Sequence, residues 1–184
     1  SDSVDCFGDC NGEITVTPTN GNGGIVYAMA PFLDQITTVW DSICGDSLYT
    51  IIATDTNGCI DSTTITLTDP DLLIPNGSVT SNYVGQQISC VGASDGEITA
   101  AAAGGTTTYT YAIDTLGVGV VSSFQSSTLF PNLPAGTYII HYLDLNACTD
   151  TESFTLLEPT VLLWSTAPQA ASCFEILDGQ INFT

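Results

Sequence analysis

Cys6-Phe-Gly-Asp-Cys-Asn-Gly-Glu-Ile14, Cys90-Val-Gly-Ala-Ser-Asp-Gly-Glu-Ile98 and Cys173-Phe-Glu-Ile-Leu-Asp-Gly-Gln-Ile181 are three copies of one pattern. Each sets a cysteine, then a glycine-bearing turn, then the start of an apolar alternation. The pattern recurs about every 85 residues, and internal repetition outranks any local propensity as a guide to architecture. A second block keeps step with the first. Leu48-Tyr-Thr-Ile-Ile-Ala-Thr-Asp-Thr-Asn-Gly-Cys59 matches Thr137-Tyr-Ile-Ile-His-Tyr-Leu-Asp-Leu-Asn-Ala-Cys148, and each leads to an acid–proline pair, Asp69-Pro70 and Glu158-Pro159. The repeat therefore divides the chain into units at 1–70 and 71–159, with a third begun at 160–184 and cut off after its first strand. Segments 72–89 and 161–172 carry short apolar runs (Leu72-Leu73-Ile74, Val161-Leu162-Leu163-Trp164). They read as the first strand of the following unit, which puts successive units end to end with little slack.

Within a unit the period is two. Ile14 and Val16 alternate with Glu13, Thr15 and Thr17; Tyr138, Ile140 and Tyr142 share one face, and Ile139, His141 and Leu143 the other. Thr, Val, Ile and Tyr suit a pleated surface, and Gly-Gly, Asn-Gly, Asp-Gly and Pro punctuate the runs. No window shows a helical stripe. The expected fold is all-β: tandem immunoglobulin-like β-sandwich repeats of about seven short strands each, stapled by disulfides.

Composition narrows the function. The chain has 20 Asp plus Glu, one His and no Lys or Arg, for a net charge of −20. Nucleic-acid affinity comes from cationic side chains displacing counterions, so that class is excluded. Direct contact with anionic lipid headgroups is excluded on the same ground. A hydrophobic content of 43 %, with acids spread singly, argues against disorder. Seven cysteines in such a chain point to an oxidising compartment, outside the cell or at its surface. No apolar run approaches the roughly 20 residues of a membrane span. Ser1–Asp5 is polar and acidic rather than a leader peptide, so the expectation is a piece of a longer exported protein.

Five cysteines open or close a unit, and two schemes fit them. Within units, Cys6 pairs with Cys59 and Cys90 with Cys148, leaving Cys173 for a residue beyond Thr184. Between units, Cys59 pairs with Cys90 and Cys148 with Cys173. The first is preferred here, because a self-contained staple lets each unit fold alone. Cys10 and Cys44 align with Ser94 and about Leu133 in the second unit. They are present together in one unit and absent together from the other, which points to a bond between them. Each such bridge is expected to stabilise its unit by about 3–4 kcal/mol through unfolded-chain entropy. Zinc or a catalytic thiol is the alternative, but no cation or histidine stands near Cys6 and Cys10 in sequence.

Asp55-Thr-Asn57-Gly58 and Asp144-Leu-Asn146 recur at one place in the unit. They are candidate calcium ligands, as are the junction acids Asp69, Asp71 and Glu158, because Ca²⁺ takes six to eight oxygens. Plain turn chemistry, in which Asp and Asn bond their own backbone, accounts for the same residues. No other cofactor is expected. Catalysis is not expected either. The single His141 has Ile52 as its counterpart in the first unit, and no nucleophile or phosphate-loop motif occurs.

Gly104-Gly105, Tyr109-Thr-Tyr111, Asn132-Leu-Pro-Ala-Gly-Thr-Tyr138, Asp144-Leu-Asn-Ala-Cys148 and Glu158-Pro159 together resemble the SprB repeat, found in tandem in large surface adhesins of gliding Bacteroidetes. The second unit departs at Ala147, where glycine is usual. The first is looser, with Cys44-Gly-Asp-Ser-Leu-Tyr49 replacing the Leu-Pro-Ala-Gly block. The resemblance implies an exported adhesin held at the cell surface and delivered by type IX secretion, with no ligand specified. It also implies O-glycosylation at Asp-Ser/Thr sites followed by an aliphatic or small residue: Ser3, Ser42, Ser47, Ser62 and Thr115.

The expected function is a repetitive stalk or fibre segment of a surface adhesin. Its partners would be neighbouring repeats of the same chain and a surface polysaccharide or substratum, met through aromatics such as Trp40 and Trp164. Two alternatives are a carbohydrate-binding module using Trp40, Tyr109 and Tyr111 as a sugar platform, and a subunit of a self-assembling extracellular filament.

Overall fold

The computed structural model describes residues 3–119, 121–163, 165–169 and 180–183, and no helix occurs among them. Cys173 and Trp164, singled out above, lie outside the described residues. In the first unit the strands are β1 (Gly12–Thr15), β2 (Val26–Met29), β3 (Val39–Ile43), β4 (Ser47–Thr54) and β5 (Ile60–Leu67). β1 pairs with β3, and β2, β4 and β5 form a second antiparallel sheet. The second unit adds β6 (Ile74–Pro75), β7 (Ser78–Val79), β8 (Gly96–Thr99), β9 (Ala102–Ala103), β10 (Thr110–Thr115), β11 (Leu129–Leu133), β12 (Gly136–Leu143) and β13 (Thr149–Leu156). Its sheets are β6-β9, β7-β8-β11 and β10-β12-β13. Beyond it, β14 (Thr166–Gln169) pairs with β15 (Gln180–Phe183).

The two-residue alternation becomes two separate cores. Ile14, Trp40 and Ile43 from one sheet and Tyr27, Met29, Tyr49, Ile51 and Leu67 from the other form one buried cluster. Ile98 and Phe130 face Tyr111, Tyr138, Ile140, Tyr142 and Leu156 in the second. Tyr138, Ile140 and Tyr142 all point into that core, while Ile139 and His141 lie on the partly open face. Leu73 and Ile88 complete it, so the apolar run that precedes the second opening cysteine packs into the unit that follows it.

The strand count differs between units. Five are present in the first and eight in the second, rather than about seven in each. The difference lies around the first long pairing: β8 has β11 on one side and β7 on the other, whereas β1 has only β3.

The glycine of the opening pattern does more than turn the chain. Gly12 and Gly96 each begin a strand and face the core. A Cβ on Gly96 would lie 2.6 Å from Leu156 Cδ1, 2.7 Å from Ile88 Cδ1 and 2.8 Å from the Leu133 carbonyl. Gly12 meets the equivalent set, Leu67, Val4 and the Ile43 carbonyl. The cause is space, not a left-handed backbone. Gly96→Ala is therefore expected to lower the stability of the second unit by about 2–3 kcal/mol through overpacking, measured as a fall in its urea midpoint with an unchanged slope.

Candidate functional site

Each unit has two unlike poles. In the first, Gly8 donates its N–H to Asp69 at 2.9 Å, which holds the Cys6 loop beside the end of β5. Cys59 stands at the other end of that strand, just before Ile60. The second unit repeats this arrangement. Gly92 donates to Glu158 at 2.7 Å, placing Cys90 by the end of β13, and Cys148 precedes the strand's start. An eight-residue strand at about 3.3 Å per residue separates opening and closing cysteines by roughly 25 Å.

The chain leaves a unit at the pole of its opening cysteine, since Asp69-Pro70 follows β5. It enters the next at the pole of its closing cysteine. Asp71 accepts from the Gly105 N–H at 2.8 Å, and Thr106, the next residue, donates to Asp144 at 2.7 Å. Cys6 and Cys148 are therefore brought to one junction, where they are bonded, with Cα atoms 5.7 Å apart. Asn146 Nδ2 donates to the Asp5 carbonyl at 3.0 Å across the same junction.

This overturns the expected pairings. Cys6–Cys59 and Cys90–Cys148 cannot form, because cysteines whose Cα atoms lie more than about 7 Å apart cannot be bridged, and the intervening strand is far longer than that. The alternative of Cys59–Cys90 with Cys148–Cys173 fails as well, since Cys148 is taken by Cys6 and both Cys59 and Cys90 are free and exposed. Cys10 and Cys44 are bonded within the first unit, as their joint presence suggested. The counterpart of Cys44 is Pro134 rather than Leu133. Tyr49 Oη donates to the Cys44 carbonyl at 3.0 Å and Tyr138 Oη to the Pro134 carbonyl at 2.8 Å, so a proline stiffens the corner that a cystine holds in the first unit.

The closing turns are built by their aspartates. One oxygen of Asp144 accepts from the N–H groups of Asn146 and Cys148, both at 2.9 Å, and the other from Thr106. Asp55 does the same with Asn57 at 2.8 Å, Cys59 at 2.9 Å and Asn22 at 3.2 Å. Asn57 and Asn146 contribute backbone donors rather than oxygens, and both carboxylates are aimed at N–H groups. The arrangement is the turn chemistry of short polar side chains, and it presents each closing cysteine at its pole. Asp144 is 5 % exposed. Asp144→Ala is expected to cost roughly 2–3 kcal/mol by stranding its three N–H donors. Asp144→Asn should recover part of that, because its amide oxygen can still accept from Asn146 and Cys148. Thermal melts of the three forms would check this.

Two sugar-platform candidates are core residues. Trp40 is buried, with Nε1 unpartnered, and stacks edge-on against Tyr27 at 6.1 Å. Tyr111 is buried against Tyr142 at 5.6 Å. Tyr109 is half-buried and donates to the Gly104 carbonyl. His141 sits opposite Ala112 just as Ile52 sits opposite Ala28, and its Nε2 is buried without a partner. Ser3, Ser42, Ser62 and Thr115 are exposed, and Ser47 is half-buried.

Burial raises Tyr111, Tyr138 and Tyr142 above the usual tyrosine value; the Glu152 carboxylate, accepting from Tyr142 at 3.0 Å, adds to the effect there. A phenol raised on folding contributes stability that is complete below the unfolded pKa of 10.0 and is lost as pH climbs through the folded values. The second unit is therefore expected to unfold cooperatively above pH 10, with tyrosinate absorbance appearing in one step. Asp55 has the opposite sign. The N–H groups of Cys59 and then Asn22 hold it below 3.8, so its contribution is lost only as pH falls beneath that.

No curated protein matches the chain. A family model described as the SprB repeat matches residues 1–30 and 82–118. Each match takes in an opening cysteine, its packed glycine and the first core strand. At these two places, one in each unit, the chain is similar to the SprB repeat.

Proposed function

We propose that the chain is a stretch of the stalk of a secreted bacterial surface adhesin, in which immunoglobulin-like units are strung end to end and tied covalently at each junction. The observation that carries this reading is the Cys6–Cys148 bond between the two units. It lies where the chain passes from one unit to the next, so it fixes their relative direction and transmits tension without relying on the Pro70–Leu72 connection alone. Two sheets packed on one core in the first unit and two three-stranded sheets packed on one core in the second, with a tyrosine near the start of a long strand bonding a carbonyl just upstream, support the immunoglobulin-like assignment. Disulfides persist outside the cell, which supports a surface location. The charge of −20 keeps neighbouring stalks apart. Attachment to a substratum and a part in gliding extend the same reading.

Small-angle scattering of the oxidised chain tests it. A rod-like distance distribution, with cross-section peaks from two units in line, is expected; a single compact particle would refute it. A carbohydrate-binding role is less well supported, because Trp40 and Tyr111 are enclosed in the cores. A defined hit on a glycan array would restore it.

A further inference from the structure

Cys6 and Cys148 are bonded across a sequence separation of 142 residues, so residues 6–148 form one closed covalent loop. That loop holds every strand of the first unit, β1 to β5, and β6 to β12 of the second. The Cys10–Cys44 bond lies inside it as well. Tension reaching Cys6 along the main chain crosses the bond to Cys148 and runs on toward Pro159. A loop tied to a taut line at one point carries none of the tension.

Within the two units, what stays in line is β13. Cys148 directly precedes it, and Glu158-Pro159 follows one residue after its end. All eight of its residues pair with β12, from Thr149 opposite Leu143 to Leu156 opposite Gly136. β12 belongs to the slack loop, so nothing holds it back when β13 is loaded. The ladder between them is not sheared, and β13 is drawn along its own axis. A strand rises about 3.3 Å per residue against a limit of about 3.6 Å, which leaves it almost nothing to yield.

Without the bond the load would take another route. It would enter the second unit at Asp71 and leave at Pro159, pulling on small contacts in turn. These are the Gly105 N–H on the Asp71 carbonyl at 2.8 Å, the Gly77 N–H on Glu152 at 2.9 Å, and the two-residue pairings β6–β9 and β7–β8. Such contacts can give way one after another.

We infer that the Cys6–Cys148 bond is a load bypass, which removes the first unit and all of the second except β13 from the tensed path. It locks away about 500 Å of chain that unfolding would otherwise release. The two units are then inextensible under a pull, whatever the stability of their cores. This bypass deepens the stalk reading above and takes the existence of tension from it. The scattering test is made at rest and the test here under load, so either can fail alone.

Single oxidised molecules of the full chain, held by tags at the two ends, would be stretched to full extension. Every form would carry Cys59→Ser, Cys90→Ser and Cys173→Ser, so that no other bond competes. The parent is expected to lengthen to no more than about 150 Å of chain, the part outside the loop. Adding Cys6→Ser and Cys148→Ser should lengthen it by about 380 Å, the 142 residues of the loop less the 34 that Cys10–Cys44 still closes. Adding Cys10→Ser and Cys44→Ser instead should leave the curve unchanged, although those changes weaken the first unit, because an unloaded core has no mechanical readout. The bypass is overturned if the parent releases more than about 150 Å, if losing the Cys6–Cys148 bond adds no length, or if losing the Cys10–Cys44 bond alone adds any.

Discussion

Cys6→Ser combined with Cys148→Ser is expected to leave both units folded but free to swing about residues 70–72. The bond closes a sequence separation of 142 residues, which by the chain-entropy relation corresponds to about 5 kcal/mol against complete unfolding of the pair. Among the described residues no strand pairing links the two units. Across the junction the Asp5 carbonyl accepts a hydrogen bond from Asn146 and is approached by Cys148 Sγ at 3.4 Å, and such a hydrogen bond contributes about 1 kcal/mol. Scattering should therefore show a broadened distance distribution with both cores intact by tyrosine and tryptophan fluorescence. The oxidised parent should show one fixed separation. A double variant indistinguishable from the parent would mean that the junction is held by something other than the cystine.

Cys10→Ser with Cys44→Ser should behave in the opposite way. This bond closes only 34 residues, all within the first unit. Its loss is expected to cost that unit about 3.5–4 kcal/mol and to lower its melting temperature by about 25 °C. The second unit should melt unchanged, because its equivalent corner is held by Pro134 and the Tyr138 hydroxyl. Calorimetry of the variant should show the first transition moving and the second standing still. If both moved together, the two cores would be one cooperative system.

The contrast between these bonds shows what could and could not be read from the residues. Cys10 and Cys44 are gained and lost as a pair between units, and covariation within a repeat needs no knowledge of space. Tyr138, Ile140 and Tyr142 declared their shared face through the two-residue period, and the run from Leu72 declared its membership of the second unit by its position. The partner of Cys6 was not legible in this way. Sequence separation favours Cys59, but a strand is a rod, and eight residues of it hold the two apart. Recognising this requires knowing that the opening loop returns to the end of β5, a fact carried by one hydrogen bond from Gly8 to Asp69. The roles of Asp55 and Asp144 were half legible. The residue types announce a turn, but not which N–H groups each carboxylate accepts from. Trp40 looked available because a lone tryptophan beside Val39 and Asp41 carries no sign of which side it faces. Gly96 looked like a turn residue because its crowding comes from Leu156 and Ile88, both distant in sequence from the turn.

Non-reducing peptide mapping of the chain, secreted through an oxidising compartment and trapped with a thiol-blocking reagent, bears on all of this at once. The polar, junction-stapled arrangement predicts fragments joining Cys6 to Cys148 and Cys10 to Cys44, with the blocking group on Cys59 and Cys90 of the monomer. Fragments joining Cys6 to Cys59 and Cys90 to Cys148 would contradict it, since units closed on themselves have no covalent direction to pass to their neighbours.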